Sequence, residues 1–563
     1  AAACRLTTPA APPSAAPPFP PGWRFAPGAA ATAGTQAMIA SSSREASEAG
    51  LAMLRRGGNA VDAAVAVGFA LAVTYPQAGN IGGGGYMVIR LADGRSAAFD
   101  YREIAPLAAT RDMYLDANGR LTDKSVVGHL ASGVPGAVAG MADALARYGT
   151  LPLREVIQPA IRLASDGFVV DSGLSRSLAG SRGLLERFDG REVYFPGGRV
   201  LQPGARWTQP ALARTLRLIA ERGPDGFYAG EVADSLVAEM RRGGGIITKA
   251  DLAAYRAVRR EPLRTTYRRH ELITMPPSSS GGVTITETLN ILETYPKLPR
   301  FGSAAYAHVL GSAYQRAFID RNNKLGDPAF VRVPLDTLTS KAYARQLRAT
   351  IDPARATPTA RLSARQLPEG AHTTHYSVVD AAGNAVATTT TLNNSYGSGV
   401  YVRGAGFLLN DEMDDFAAQP GQPNMFGLVQ GEQNAIQPGK RMLSAMSPTI
   451  VLDSAGRVRL VVGAAGGPTI ITSTSQVILN VIDHGMSLAD ATRAPRLHHQ
   501  ALPDSLTYEA NGLAPAVRDS LRAMGHAMRE IPRLATLNAV MRVRGGWEGV
   551  SEPRAFGSGA VGY

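Results

Sequence analysis

The chain contains 563 residues, of which 45% are hydrophobic and 18% are charged, a composition that supports a sizeable buried core and is typical of a globular protein. Its formal net charge of +12 comes mainly from arginines spread along the chain, and aromatic residues make up only 6% of it. Because a nucleic-acid surface requires clustered Lys and Arg interleaved with aromatic residues, this composition argues against a nucleic-acid partner.

The single cysteine, Cys4, excludes an intramolecular disulfide framework and a cysteine-based metal site. It follows three alanines and precedes a Pro/Ala-rich run, an arrangement that looks like the end of a bacterial lipoprotein signal. The alternative is an incidental cysteine in this tail. The lipoprotein interpretation predicts that residues 1–33 form a lipidated start and a linker. It also predicts a periplasmic protein, or one anchored to the outer membrane of a bacterium.

Two helices are predicted near the start of the body. Ala, Leu and Met recur at helical spacing from Arg44 to Arg56, and Gly57 with Gly58 would end that helix. Asn59 can cap the next helix, which covers the apolar run from Ala60 to Thr74. That run contains an aspartate and is too short to span a membrane, so it predicts a buried core helix.

Four consecutive glycines, Gly82 to Gly85, precede a predicted strand over 86–90. A phosphate-binding loop would need a Lys-Ser/Thr pair or G-x-G-x-x-G spacing ahead of a helix, so tight backbone packing is the better interpretation. The region from about 105 to 350 is predicted to be mostly helical, with Gly/Pro turns between the helices. A polar, proline-containing segment over 352–370 follows, and loops of that length inside a compact body are usually functional.

Beyond residue 373 the pattern changes to strands that form two hairpins, followed by a return of helical patterns. The predicted elements are strands over 375–379, 385–392, 447–452 and 457–462, and helices over 475–483 and 514–524. Periodicity alone indicates an α+β protein.

Thr373 stands at the start of the first of these strands, directly after a turn. A threonine within a chain is a poor nucleophile because its hydroxyl has no adjacent base. Cutting the His372–Thr373 bond would provide one, since the new α-amino group has a pKa of about 8. The pattern therefore indicates an enzyme that makes its nucleophile by cutting itself, the alternative being that Thr373 is an ordinary β-branched strand residue.

The segments around Thr373 closely resemble the small subunit of the γ-glutamyltranspeptidases, which are N-terminal-nucleophile hydrolases. They are HTTHYSVVD (372–380), TTTTLNNSYGSG (388–399), LNDEMDDF (409–416), PGQPN (420–424), RMLSAMSPTI (441–450) and GAAGG (463–467). Segments 42–47, 57–64 and 80–87 look like the family's large subunit. The resemblance covers roughly residues 36 to 563, in the family's order and spacing.

This resemblance implies a four-layer αββα sandwich. It also implies a large subunit over 34–372 and a small subunit over 373–563, cut from one precursor and paired as a heterodimer. No metal and no cofactor is expected.

The resemblance also assigns the catalytic groups. Thr391 would lie against the Thr373 hydroxyl and help to activate it. Gly466 and Gly467 match the oxyanion hole, since successive backbone N–H groups without side chains can approach a tetrahedral oxygen closely. A plain tight turn is the alternative for the glycine pair.

A γ-glutamyl group carries an α-ammonium and an α-carboxylate at one end, and carboxylates and guanidinium groups are their natural partners. By resemblance, Arg102 is the carboxylate clamp. Ser444 matches one of two adjacent serines that bind the same carboxylate, but the second position is Ala445. We expect this departure to weaken donor binding or to broaden the acyl preference. The ammonium ligands would be Asn393, Glu412 and Asp415.

Residues 420–435 resemble the family's lid loop, and Phe426 stands where lid-bearing members carry an aromatic gate. His498 and His499 are candidate metal ligands. Adjacent strand residues point to opposite faces, however, and no further ligand motif is near, which favours a structural role.

The predicted function is γ-glutamyl transfer and hydrolysis on glutathione-like donors, with water, amino acids or short peptides as acceptors. One alternative is an acylase that removes glutaryl-type side chains from β-lactam (cephalosporin) nuclei. The glutaryl group lacks an α-ammonium, so Glu412 and Asp415 favour the glutamyl donor. Ala445, in contrast, keeps the acylase alternative open. A non-catalytic cell-surface binding protein with the same fold is the other alternative.

Overall fold

The structure is a computed structural model that describes residues 19–362, 373–425, 427–555 and 557–563. Cys4, His372 and Phe426, which were assigned to lipidation, cleavage and the lid, lie outside these residues. The fold is built around two seven-stranded antiparallel sheets.

The first sheet, here called the nucleophile sheet, contains the strand that follows Thr373 as the third of its seven strands. Its order is Gly559–Gly562, Met38–Ser41, Thr374–Val379, Ala385–Thr391, Gly84–Arg90, Ser96–Asp100 and Val258–Arg260. The second, here called the oxyanion sheet, contains the strand that ends at Gly466. Its order is Thr32–Gly34, Gly546–Ser551, Thr536–Val543, Val458–Ala465, Thr449–Leu452, His270–Thr274 and Leu263–Tyr267.

Alternation along the nucleophile-sheet strands divides the core into two layers, because successive side chains point to opposite faces. Met87 and Ile89 pack in one apolar cluster with the helix over Ala60–Thr74, while Tyr86 and Val88 pack with the oxyanion sheet in the other. Helices cover the outer face of each sheet, so the order of layers is helix, sheet, sheet, helix. The predicted αββα sandwich is therefore confirmed.

The helices fall into two groups. Those whose apolar residues pack with the outer face of the nucleophile sheet include Arg44–Arg55, Ala60–Thr74, Ala137–Tyr148, Gln158–Ser165, Pro210–Arg222 and Gly230–Gly243. Those packed with the oxyanion sheet include Gly281–Glu293, Ala304–Lys324, Thr469–Ile482 and Leu488–Arg493. Shorter or peripheral helices are Leu153–Val156, Ser172–Gly180, Arg182–Leu185, Arg191–Tyr194, Asp225–Tyr228, Lys249–Ala254, Leu335–Leu338, Lys341–Ala349 and Pro515–Ala523. Small strands pair Phe168–Val169 with Arg206–Trp207, Tyr401–Val402 with Phe407–Leu408, and Leu506–Glu509 with both Leu497–His498 and Met528–Ile531.

The two predicted N-terminal helices are present. The second is capped by Asn59, whose side chain accepts the N–H groups of Val61 and Asp62, and Asp62 accepts the N–H of Asn59 in return. All residues from Ala60 to Thr74 are buried, as the apolar run predicted.

The four glycines pack the backbone tightly, as predicted. A Cβ atom at Gly83 would come within 2.2 Å of the Thr391 carbonyl oxygen, and one at Gly85 within 2.5 Å of the Thr389 oxygen. Glycine is required here because any side chain would push away the strand that carries Thr391. The strand begins at Gly84, two residues earlier than predicted.

Two predictions of local structure need correction. The region predicted to be mostly helical also contains three strands between 258 and 274, which extend both sheets. The helix predicted over 475–483 begins at Thr469, because its first turn follows directly on the glycine pair. In both places polar residues interrupt the apolar periodicity from which the elements were predicted. Pairing or packing with distant segments determines the structure there.

Candidate active site

Thr373 lies immediately before the strand Thr374–Val379 of the nucleophile sheet and is 9% exposed. Its hydroxyl donates to the Thr391 hydroxyl oxygen at 3.4 Å, and the N–H of Asn393 donates to the same oxygen at 2.7 Å. Asn393 takes a left-handed backbone conformation, with φ of 76°, as the chain turns there. Thr391 is thereby held as a partner for the Thr373 hydroxyl.

His375, two residues after Thr373, provides no base to it. His375 is buried and hydrogen-bonds to the hydroxyls of Thr389 at 2.9 Å and Ser377 at 3.0 Å. Burial lowers the pKa of His375 to about 3, so its imidazole is neutral at physiological pH. A proton acceptor for Thr373 has to come from elsewhere, and a free α-amino group would be one.

A cavity opens beside Thr373, here called the donor cavity. It contains most of the residues predicted to bind substrate. Its lining includes Arg102, Arg321, Thr373, Thr391, Asn393, Asp415, Leu428, Ser444, Ala445, Met446, Gly467, Pro468 and Ile470.

Arg102 is buried at one end of this cavity and forms ion pairs with Glu412 and Asp415. Its Nε also donates to the Met442 carbonyl oxygen at 3.3 Å. The predicted carboxylate clamp and two predicted ammonium ligands are therefore in mutual contact. Burial raises the pKa of Glu412 and Asp415, while the charge of Arg102 lowers both.

Ser444 and Ala445 lie in the same cavity, and Ala445 places a methyl group where the family pattern has a second hydroxyl. The Ser444 hydroxyl oxygen accepts the N–H of Met446 at 3.1 Å. Among the described residues its own hydrogen has no hydrogen-bond acceptor, so this hydrogen could bind a ligand.

Arg321 was not identified from the sequence, although it lines the donor cavity. It is 1% exposed and donates to the Ser280 hydroxyl at 3.1 Å and to the Asn322 side-chain oxygen at 2.9 Å. Within the part of the chain that the structure describes, it forms no ion pair. Burial lowers the pKa of Arg321 to about 10, and the charge of Asp415 opposes that effect. No motif distinguished it from the other arginines of its helix.

Gly466 and Gly467 connect the strand Val458–Ala465 to the helix Thr469–Ile482. Gly467 has φ of 55°, and a Cβ atom at Gly466 would lie 2.9 Å from the Cα of Ala535. Both positions therefore favour glycine. The start of a 14-residue helix immediately after the pair adds a partial positive charge near Thr373.

The predicted lid segment lies over the acidic residues. The Met425 N–H donates to Asp414 at 2.9 Å, and Leu428 lines the donor cavity. The Asn424 amide approaches the Asp415 carboxylate at 3.5 Å.

His498 and His499 lie away from Thr373 and are buried. His498 hydrogen-bonds to the Thr472 hydroxyl at 3.0 Å and the Gln500 side chain at 2.8 Å, and His499 lies 3.4 Å from the Asp504 carboxylate. Among the described residues, no group of three or more His, Cys, Asp or Glu side chains is arranged to hold a metal.

Comparison with known proteins identifies the family. The family model described as Gamma-glutamyltranspeptidase matches residues 46–562. The glutathione hydrolase proenzyme of Escherichia coli (strain K12) is 46% identical, with 94% of this chain and 92% of that protein covered. The Acylase ACY 1 proenzyme of Pseudomonas sp. (strain SE83) is 42% identical, with 90% of each covered. The crystal structure of cephalosporin acylase from Bacillus halodurans superposes with a TM-score of 0.84 at 26% identity, covering 97% of this chain and 99% of that one.

The fold, with a threonine directly before an inner strand of the nucleophile sheet, defines an N-terminal-nucleophile hydrolase. More particularly, the chain belongs to the γ-glutamyltranspeptidase family. The predicted family and class of enzyme, an acyltransferase made as a precursor, are thus confirmed, against the alternative of a non-catalytic binding protein. No helix among the described residues is long and apolar enough to cross a membrane.

Proposed function

We propose that the chain cuts its own His372–Thr373 bond and then transfers γ-glutamyl groups from glutathione and similar donors to water, amino acids or short peptides. One observation carries the proposal. The Thr373 hydroxyl bonds to Thr391 at the edge of a cavity that holds Arg102 and Asp415 side by side. A γ-glutamyl group carries an ammonium and a carboxylate at the end far from its reacting carbonyl. Its binding site therefore needs both an acidic and a basic side chain at that end.

In the proposed reaction the Thr373 oxygen attacks the γ-carbonyl carbon, and its proton passes to the Thr373 α-amine. The carbonyl oxygen becomes an oxyanion facing the N–H groups of Gly466 and Gly467. The intermediate collapses, the C–N bond breaks, and the leaving amine takes the proton. Water or an acceptor amine then attacks the resulting ester and returns the proton to Thr373.

Donor recognition would exchange one set of ion pairs for another. The α-carboxylate would pair with Arg102 and Ser444, while the α-ammonium would pair with Asp415, Glu412 and the Asn393 amide oxygen. Arg102 is already paired with Glu412 and Asp415, so a bound zwitterion would replace these ion pairs with its own and leave Arg102 and the acids partnered. Arg321 is buried in the same cavity and forms no ion pair within the described residues, so it would supply a contact to the carboxylate in place of the hydroxyl that Ala445 lacks.

A glutaryl acylase is a second candidate because Ala445 removes a carboxylate ligand and the SE83 relative is named an acylase. Glu412 and Asp415 argue for the glutamyl donor, since a glutaryl group has no ammonium to offset two buried acids. Rates on γ-glutamyl-p-nitroanilide and glutaryl-p-nitroanilide would decide between them. A higher kcat/KM for the glutaryl compound would make the acylase the primary function.

The subunits would stay paired after cleavage, because the nucleophile sheet interleaves them. Strand Thr374–Val379 pairs with Met38–Ser41, and Ala385–Thr391 pairs with Gly84–Arg90, each across the division at residue 373. We propose a heterodimer of 34–372 and 373–563, with 420–435 and Phe426 as a lid that shields the acyl-enzyme.

Bacterial relatives such as the E. coli protein support a bacterial origin of the chain. Periplasmic location and lipidation at Cys4 are proposed on the sequence pattern alone. The mass of the N-terminal peptide from cell membranes tests this proposal, and an unmodified Cys4 would refute it.

The self-cleavage is tested by intact mass spectrometry after incubation at neutral pH, with Thr373→Ala as the control. A fragment that begins at Thr373 in the parent protein, and is absent in the variant, is expected. An uncut parent chain that still releases p-nitroaniline would overturn the mechanism.

A further inference from the structure

The strand Thr374–Val379, here called the nucleophile strand, is only partly paired along one of its two edges. On one edge, all of its residues pair with the strand Ala385–Thr391. On the other edge, the strand Met38–Ser41 pairs only with residues 377–379. The ladder on that edge therefore ends before it reaches the residues next to Thr373. Because buried backbone groups need hydrogen-bond partners, side chains are expected to bond there.

Two buried side chains take the place of the missing ladder. The Thr374 hydroxyl donates to the hydroxyl oxygen of Ser42, the residue that follows the strand Met38–Ser41, at 2.9 Å. The Asn538 amide donates to the carbonyl oxygen of His375 at 2.6 Å and to the Ser42 hydroxyl oxygen at 3.2 Å. Thr374, Ser42 and Asn538 are all buried. Because these groups are shielded from water, their hydrogen bonds are stronger than the same bonds would be at the surface.

Asn538 belongs to the oxyanion sheet, so its bond to His375 joins the two sheets. Within that sheet Asn538 pairs with Gly463, three residues before Gly466. A Cβ atom at Gly463 would lie 2.4 Å from the His375 ring, so the ring packs directly against the strand that leads to Gly466. The Ser377 hydroxyl also donates to the Asn538 carbonyl oxygen at 3.2 Å. The two sheets are therefore bonded to each other at a point two residues beyond the nucleophile.

The geometry of acyl transfer gives this connection a role. The attacking oxygen lies at the start of a strand of one sheet, whereas the N–H groups proposed to stabilise the oxyanion lie at Gly466 and Gly467, at the end of a strand of the other. The distance between them depends on how the sheets are held together near Thr373. A displacement of about 1 Å can reduce a rate on the order of 100-fold. The requirement increases once the bond before Thr373 is cut, because the nucleophile is then the free end of its chain.

We propose that Asn538 and Ser42 are positioning residues that set the distance between the Thr373 hydroxyl and the two oxyanion glycines. They do so by holding the first residues of the nucleophile strand against the oxyanion sheet. The inference rests on the proposed acyl transfer at Thr373. Neither side chain is among the described residues that line the donor cavity. Both would therefore act on the rate of the chemical step and not on binding of the donor.

The test compares kcat and KM for γ-glutamyl-p-nitroanilide in the parent protein and in single variants. Asn538→Ala removes two hydrogen bonds and should lower kcat about tenfold, and Ser42→Ala should lower it about three- to fivefold. KM should stay within about twofold of the parent value in both variants, since the interactions act on the transition state. Asn538→Gln and Ser42→Thr, which keep the amide and the hydroxyl, should restore part of the rate.

Two buried residues outside this network provide matched controls. The Ser41 hydroxyl donates to the Ser43 carbonyl oxygen at 2.7 Å, and the Asn480 amide donates to the Ala491 carbonyl oxygen at 3.1 Å. Ser41→Ala and Asn480→Ala remove the same chemical groups and should leave kcat unchanged. A cooperative thermal unfolding transition verifies that each variant has folded. Rates are expressed per molecule that contains the fragment starting at Thr373.

Three results would overturn the proposal. They are a kcat that matches the parent value in both Asn538→Ala and Ser42→Ala, a rise in KM with kcat unchanged, or an equal fall of kcat in the matched controls. If Asn538→Ala does not fold, the two Ser42 variants decide. A parent protein that releases no p-nitroaniline would instead refute the proposed γ-glutamyl transfer, and the same comparison on glutaryl-p-nitroanilide would then test the positioning role.

Discussion

The hydroxyl of Thr373 lies 3.4 Å from that of Thr391, and the Thr391 oxygen is fixed by a backbone N–H two residues further on. The contact joins the residue immediately before one strand to the last residue of that strand's antiparallel neighbour. A hydroxyl held in this way can orient the nucleophile both before and after the chain is cut.

Thr391→Ala should therefore slow both steps, while Thr391→Ser should restore much of the rate because it keeps the hydroxyl. We expect a loss of roughly 100-fold in kcat for the alanine variant, as for the removal of a group that assists proton transfer. Fragment formation followed by mass spectrometry and p-nitroaniline release would measure the two steps. An alanine variant that is cut and turns over at the parent rate would show that the contact is only structural.

Asp415→Asn should distinguish between donors. Removing the charge that faces the α-ammonium is expected to lower kcat/KM for γ-glutamyl-p-nitroanilide on the order of 100-fold, with a much smaller effect on the glutaryl compound. Asp453→Asn, in an exposed turn, is the control. Equal losses on both donors would indicate a general disturbance of the Arg102 ion pairs instead.

Ala445→Ser should strengthen donor binding by adding a hydroxyl beside the α-carboxylate. A hydrogen bond to a charged group contributes about 1 kcal/mol or more, so KM for the γ-glutamyl donor should fall about fivefold. Steady-state kinetics checks this. If the parent KM is already normal and the serine leaves it unchanged, the alanine has no effect on donor binding.

Arg321→Gln should weaken binding of donors that carry an α-carboxylate. We expect about a tenfold loss of kcat/KM on γ-glutamyl-p-nitroanilide, little loss on 4-aminobutanoyl-p-nitroanilide, which lacks that carboxylate, and partial rescue by Arg321→Lys. A structural role alone would reduce the rate on both donors alike.

His375 should make stability depend on pH. Its pKa is lowered to about 3 in the folded protein by burial, whereas in the unfolded chain it is about 6.5. Below pH 6.5 the unfolded state binds a proton that the folded state does not, so stability falls as the pH drops from 6.5 toward 3. The loss is about 1 kcal/mol per pH unit.

His375→Asn should lose less stability than the parent protein between pH 6.5 and pH 5. Thermal unfolding at both pH values would measure how stability changes with pH in the parent protein and in the variant. An equal loss of stability in the two proteins would show that another group dominates acid unfolding.

The sequence by itself was sufficient for the features that depend on neighbouring residues. The apolar run from Ala60 to Thr74 behind its Asn59 cap, the hairpin that begins after Thr373, and the glycines ahead of Tyr86 all follow from local periodicity, capping and steric limits. The family motifs also predicted Thr373 as the nucleophile, because the proposed chemistry needs only a threonine and the bond before it.

Only the tertiary structure determined which distant groups share a cavity. Arg102 and Asp415 lie 313 positions apart and meet because separate segments converge at the end of the nucleophile sheet. Arg321 enters the donor cavity from a helix with no local signal. Local sequence sets backbone preferences and side-chain periodicity, whereas the proximity of charges far apart in the chain depends on how the layers pack.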